Sequence, residues 1–83
     1  MNRFDKEAIT WDDLPRRVNL AKAVVKEIKP YLKNKKVLEF GCGTGLVGIN
    51  VADITKELIG IDLSSKMIEK FNEKSKKLNL NAK

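Results

Sequence analysis

The chain has 83 residues (9.4 kDa), with 17 basic and 11 acidic side chains, no histidine and a single cysteine, Cys42. That size holds one small domain, which buries only roughly 60% of its unfolded surface; one thiol excludes an internal disulfide and, without histidine, leaves no zinc ligand set. No stretch approaches the roughly 20 apolar residues of a membrane span, and Met1-Asn2-Arg3-Phe4-Asp5 lacks the apolar core of a signal peptide, so a reducing, cytoplasmic setting without a membrane partner is expected.

Residues 1–13 read as an N-terminal arm of little pattern, followed over 14–83 by a patterned domain. Asp12-Asp13-Leu14-Pro15 has the chemistry of a helix start, an acid to accept orphan N–H groups and a proline that has none to satisfy. Leu14, Val18, Ala21, Val25, Ile28 and Leu32 then recur every three or four residues, one face of a helix that Pro30 should end near Lys29. Val37-Leu38-Glu39-Phe40 reads as a short buried strand. Leu46–Ala52 reads as a helix weakened by Gly48, and 58–63 as a second strand whose continuous apolar character predicts cover on both faces. Ser64 or Ser65 should cap a last helix with Met67, Ile68, Phe71 and Leu78 as its apolar stripe. Strand, helix and parallel strand over 37–63 make a βαβ unit, so the fold class is α/β and Rossmann-like: an N-terminal helix, then βαβα with parallel strands.

The net charge of +6 invites a nucleic-acid partner. Against it, Lys66, Lys70, Lys74, Lys76, Lys77 and Lys83 fall largely on the polar face of the last helix, with no interleaved aromatics to stack bases. A solvated face is the favoured reading.

Glu39-Phe40-Gly41-Cys42-Gly43-Thr44-Gly45 stands where a strand gives way to a helix. Glycines there admit backbone angles closed to other residues, let a ligand approach the main chain, and offer helix N-terminal N–H groups to a polar group. Asp62 follows at the end of the second strand, at the same edge of the sheet, where an acid can accept both hydroxyls of a ribose. Two ligands suit this arrangement. One is a dinucleotide such as NAD, since Gly43, Gly45 and Gly48 spell G-x-G-x-x-G; the other is S-adenosylmethionine, which has a ribose and adenine but no phosphate. Glu39 discriminates: a carboxylate just before the glycines repels a pyrophosphate and suits a ligand with an ammonium and a sulfonium. Cys42 has no histidine to activate it and reads as a small filler in the loop.

Val37 to Gly45 resembles the E/D-x-G-x-G-x-G motif of class I S-adenosylmethionine-dependent methyltransferases, and Ile59-Gly60-Ile61-Asp62-Leu63-Ser64 resembles their second motif. Trp11-Asp12-Asp13-Leu14-Pro15-Arg16-Arg17 resembles a leader found before these motifs in one subgroup. The resemblance implies that Glu39 meets the methionine end of the cofactor, that Gly41, Cys42, Gly43 and Gly45 line its backbone cradle, that Asp62 holds the ribose, and that Leu63 lies against adenine. Trp11 and Arg16 are expected to close over the cofactor from the arm. The implied fold has a seven-stranded sheet, of which this chain supplies two strands, so the chain is expected to be an incomplete methyltransferase, inactive alone, with no catalytic base that can be named. Its bare sheet edges and apolar faces should drive self-association. A small-molecule methyl acceptor is favoured over a macromolecule. The alternatives are an NAD-dependent oxidoreductase fragment and a non-catalytic, oligomerising remnant.

Overall fold

A computed structural model describes residues 3–82; Met1 and Asn2, at the start of the expected arm, and Lys83, the last cation of the lysine run, lie outside the described residues. The arm is more ordered than its sequence suggests. It forms a short helix, α1 (Arg3–Glu7), and a 3₁₀ turn, Trp11–Asp13. Helix α2 (Pro15–Ile28) follows, with the proline in its first turn. The expected acidic cap is absent: Leu14 occupies the cap position in extended backbone, no side chain bonds the first turn, and Asp12 is directed elsewhere. Pro30 ends the helix as predicted, inside a 3₁₀ turn, Lys29–Tyr31. Ala21 is buried, and Val25, Ile28 and Leu32 pack against the core from this side.

Strands β1 (Lys36–Phe40) and β2 (Glu57–Ile61) pair in parallel, with Glu39 opposite Gly60 and Phe40 opposite Ile61. The connecting helix α3 is only Gly48–Val51, shorter than the predicted 46–52, because the glycine loop extends to its start. Helix α4 (Ser65–Lys77) begins at the predicted cap, where the Ser64 hydroxyl accepts from the Met67 N–H at 3.2 Å. Phe71 and Met67 on this helix are buried, and Phe71 joins Leu58, Val51, Ile49, Ala52 and Cys42 in the core. Leu78 lies beyond the helix and is exposed, so it does not belong to the stripe; Ser75 is buried in its place, with its hydroxyl donating to the Ala82 carbonyl.

One expectation about the sheet is corrected. Val37, Glu39, Leu58 and Gly60 share the covered face, but the other face is open: Leu38 is 51% exposed and Phe40 77%, with Ile59 and Ile61 beside them. All the core helices pack on one side, so apolar character on both strand faces predicted a cover that the described residues do not supply. The far edge of β2 is also not bare along its whole length. Ala82 forms a parallel bridge to Leu58, whose N–H donates to the Asn81 carbonyl at 3.1 Å, and a third parallel segment thus begins there.

Candidate functional site

The parallel register brings the carboxyl ends of both strands together, and the glycine loop lies across them. Gly41, Gly43 and Gly45 all have left-handed backbone, at φ +67°, +56° and +92°. Their surroundings differ. A Cβ on Gly45 would stand 2.5 Å from Ile49 Cγ1 and 2.9 Å from Phe71 Cδ2, so this glycine is demanded by packing. A Cβ on Gly41 would meet nothing within 4 Å, and one on Gly43 only Met67 Sδ at 3.9 Å. Those two leave bare main chain beside open space, which is what a closely approaching ligand needs.

The loop's N–H groups are not presented to an anion, as the sequence suggested. Gly41 N–H and Cys42 N–H both donate to the Ile61 carbonyl, at 2.6 and 3.1 Å, Gly43 N–H donates to Asp62 Oδ2 at 2.9 Å, and Gly45 N–H donates to the Cys42 carbonyl at 3.1 Å. Four donors that could cradle a phosphate are engaged inside the protein. Asp62 also accepts the Ser64 N–H on Oδ1 at 2.9 Å, so its carboxylate joins the glycine loop to the start of α4. Each oxygen keeps lone-pair capacity for a further donor. Leu63, one residue on, is 94% exposed.

Glu39 points into the covered face of the sheet. Its Oε1 is buried and has no hydrogen-bond partner, and it lies 2.5 Å from where a Cβ on Gly48 would stand. Burial pushes its carboxyl above the usual carboxylate range. Cys42 is a different case. Its sulfur packs against Gly60, where a Cβ would be 2.6 Å away, and desolvation, followed by the charges of Glu39 and Asp62, pushes the thiol up to about 11. Such a thiol is unreactive near neutral pH. The Cys42 side chain therefore fills the core, and its main chain is engaged with Ile61 and Gly45.

Two clefts meet over this loop. The larger, about 520 Å³, is bordered by Gly41, Gly43, Asp62, Leu63 and Met67, with Phe4 and Trp11 of the arm on its opposite wall. The smaller, about 260 Å³, holds Glu39 and Arg17 and shares Trp11, Gly41 and Gly43 with the first. The arm is fastened at two points. Asp12 pairs with Lys74 Nζ at 2.6 Å and accepts the Thr44 hydroxyl at 2.5 Å; Asp5 accepts the Ser64 hydroxyl at 2.5 Å and the Lys66 N–H at 3.2 Å. Trp11 packs edge-on against Phe4 and carries the Arg17 guanidinium 3.6 Å from its ring centroid. The structure thus corrects the expectation for Arg16, which is exposed and borders neither cleft; Arg17 takes the place beside Trp11. Asp5, Asp12, Thr44 and Lys74 were missed by sequence reasoning. Their contacts span 30 to 61 positions, and no local spacing signals them.

Comparison with known proteins shows the family of the chain. Residues 37–83, more than half of the chain, match the family described as methyltransferase domain. A ubiquinone biosynthesis O-methyltransferase of Pelagibacter ubique is 43% identical over 54 residues, covering 63% of this chain and 22% of that protein. An uncharacterised RNA methyltransferase of Clostridium tetani is 37% identical over 59 residues, covering 71% of this chain and 13% of that protein. Among solved structures, a SAM-dependent methyltransferase from Aquifex aeolicus superposes with a TM-score of 0.70 at 24% identity, over 95% of this chain and 44% of that one. The fold is therefore Rossmann-like, of the class I methyltransferase kind. The chain belongs to the methyltransferase domain family, and it spans between 13% and 22% of the length of the curated relatives it matches.

Proposed function

We propose that this chain binds S-adenosylmethionine and supplies the cofactor half of a methyl-transfer site. Residues 14–83 form the Rossmann-like portion, and the preceding arm supplies one wall. In this reading the adenosine occupies the larger cleft, with its ribose on Asp62 and its adenine near Leu63, and the main chain of Gly41 and Gly43 passes beneath it. The methionine end lies toward Glu39, and Gly45 and Cys42 hold the loop in shape. The observation that carries the reading is the buried, unpartnered Oε1 of Glu39 beside a glycine loop whose N–H groups are already engaged. A pyrophosphate would find few free donors and a repelling carboxylate; a cationic, phosphate-free ligand would find a carboxylate in need of a partner. This disfavours the NAD alternative on the same atoms.

When bound, the sulfonium supplies an activated methyl carbon for an acceptor atom to attack in line. The chain's own residues bind and orient that group, and positioning is the main service such a site performs. The proposed acceptor is a small molecule, since three of the five α4 lysines pair with acids, Lys66 with Glu69, Lys70 with Glu73 and Lys74 with Asp12, which leaves Lys76 and Lys77 as the exposed, unpaired cations of that helix. No helix among the described residues is long and apolar enough to cross a membrane, and the buried free thiol of Cys42 suits the reducing cytoplasm we assign.

Calorimetric titration tests the reading. The 83-residue chain is expected to bind S-adenosylhomocysteine and not NAD, and Asp62→Asn is expected to weaken binding about tenfold through loss of a charged hydrogen-bond acceptor. Equal affinity for both ligands, or no effect of the substitution, contradicts it. A thermal melt of the variant separates lost ligand contacts from a loosened loop, because Asp62 also holds the Gly43 and Ser64 N–H groups.

A further inference from the structure

Residues 22–36 hold six lysines against one acid, Glu27, so nearly all of the chain's net charge of +6 lies on this stretch. Lys22 and Lys26 stand one turn apart on α2, exposed and in no ion pair among the described residues. They border an open groove of about 300 Å³ between α2 and α3. Its floor is apolar, from Val18, Val25 and Leu46, and Asn50 of α3 gives it one polar edge. Asn50 Nδ2 donates to the Leu46 carbonyl at 2.6 Å, so its Oδ1 remains to accept. Lys29 follows on the same side of α2, where it pairs with Asp53, just beyond α3, at 3.2 Å. The 3₁₀ turn then presents Tyr31, 77% exposed. Past it, Lys33, Lys35, Lys36 and Lys56 gather at the amino ends of the strands, because the Asn34 N–H donates to the Ile54 carbonyl at 2.8 Å and the Lys56 N–H to the Lys35 carbonyl at 2.9 Å. These four are also exposed and outside every ion pair among the described residues.

A row of unpaired cations attracts a polyanion, and its uncharged neighbours decide which one. The exposed ring of Tyr31, between Lys29 and Lys33, is a stacking platform. The groove beside Lys22 and Lys26 suits a flat ring that is apolar on its faces and polar at its rim, with Asn50 to meet that rim. Both features fit a nucleobase freed from its stack. An anionic membrane would ask instead for several apolar side chains to insert, and Tyr31 is the one large apolar side chain exposed over residues 29–36. We propose that the seam between α2 and α3 binds single-stranded nucleic acid. Lys22, Lys26, Lys33 and Lys35 neutralise successive phosphates, the groove takes one base and Tyr31 stacks another. Leu46 borders both this groove and the smaller cleft, so the strand runs to the edge of the proposed cofactor site. The lysines of α4 take no part. The inference does not rest on the cofactor reading, and it makes the strand a partner that the chain holds, whichever molecule accepts the methyl group.

Fluorescence anisotropy on the full chain tests it, with a labelled oligouridine of about twelve nucleotides, an RNA duplex of similar length, and vesicles of phosphatidylserine and phosphatidylcholine as competitor. The wild type should bind the single strand about tenfold more tightly than the duplex, whose bases are not free to stack, and the vesicles should not displace it. The logarithm of affinity should fall against the logarithm of salt concentration with a slope of about −3, for roughly four phosphates neutralised on a single strand. Lys22→Gln combined with Lys26→Gln should flatten that slope by about 1.4. Tyr31→Ser should weaken binding roughly tenfold and leave the slope unchanged, since stacking carries no charge. Lys66→Gln combined with Lys70→Gln removes the same net charge from α4 and should leave the slope as it was. The proposal is overturned if the wild type does not bind the single strand, if duplex binds as well, or if vesicles displace the oligouridine. It is overturned equally if the two double variants have the same effect, which would assign binding to net charge alone, or if Tyr31→Ser changes nothing. The three wild-type comparisons need no variant to fold, and circular dichroism checks the variants, all of which change side chains outside the core.

Discussion

Glu39 carries a chemistry that its position in β1 makes testable. Its carboxyl is raised from the ordinary value of 4.5 by desolvation alone, so the folded chain holds a proton there that the unfolded chain releases earlier. Stability therefore falls as pH rises from about 4.5 through the raised value, because in that window the native state binds more protons. Binding of an ammonium group has the opposite preference, for ionised Glu39. Affinity for S-adenosylhomocysteine should accordingly strengthen as pH rises from 4.5 toward neutrality, and Glu39→Gln should bind more weakly with a flat profile over the same range. Titrations across that window check it; a flat wild-type profile would mean that the carboxylate does not meet the ligand's charge. That Glu39, Asp62 and the glycines gather at one end of the sheet was legible in the sequence, since motif spacing and the strand ends place them together. The place of Arg17 beside Trp11 was not. Arg16 and Arg17 are chemically identical neighbours, and one helical step decides which reaches Trp11. That step depends on where α2 begins, and the acidic cap assumed for it does not form.

The glycine loop shows how one motif divides its work between packing and access. Gly45→Ala must accommodate a Cβ 2.5 Å from Ile49 and 2.9 Å from Phe71 in a backbone region that L residues avoid. Overpacking and left-handed strain together should cost about 3 kcal/mol. That is a large share of the roughly 5 kcal/mol at the lower end of domain stability. Gly41→Ala meets no neighbour within 4 Å and should cost only about 1 kcal/mol for its backbone angle, while a methyl group enters the space left for a ligand. Urea midpoints and S-adenosylhomocysteine titrations should therefore rank the two variants in opposite orders, Gly45→Ala worse for folding and Gly41→Ala worse for binding relative to its stability loss. Equal midpoints would contradict the packing role of Gly45. At this scale the sequence predicted the order of elements well, because apolar spacing and Ser64 mark α2, both strands and α4. It overestimated α3. Gly48 lies where Glu39 Oε1 and Leu58 approach within 3.1 Å of a Cβ site, so its missing side chain serves tertiary packing, and only four residues remain helical.

Across the whole molecule, the helices and the clasped arm gather on one side of the sheet, and the opposite face is left with Leu38, Phe40, Ile59 and Ile61 side by side in register. The alternation of exposure along β1 and β2 is that of a sheet with one wet face, yet the residues on that face are those of a sheet with two dry ones. Apolar strands of this kind are found where both faces are packed, and a contiguous exposed apolar patch is a site of association. The unpaired edge of β1 adds a second route, since its backbone groups have no partner among the described strands. The 83-residue chain by itself should therefore self-associate. Sedimentation velocity should show a weight-average mass that rises with concentration above 9.4 kDa. Leu38→Glu and Ile59→Glu, which border neither cleft, should return the chain toward a monomer while its helical signal is kept. A wild-type chain that stays monomeric and melts cooperatively would show that one covered face and a partly capped β2 edge are enough. Persistent association in both variants would assign it instead to the edge of β1, where backbone pairing is indifferent to the side chains on the open face.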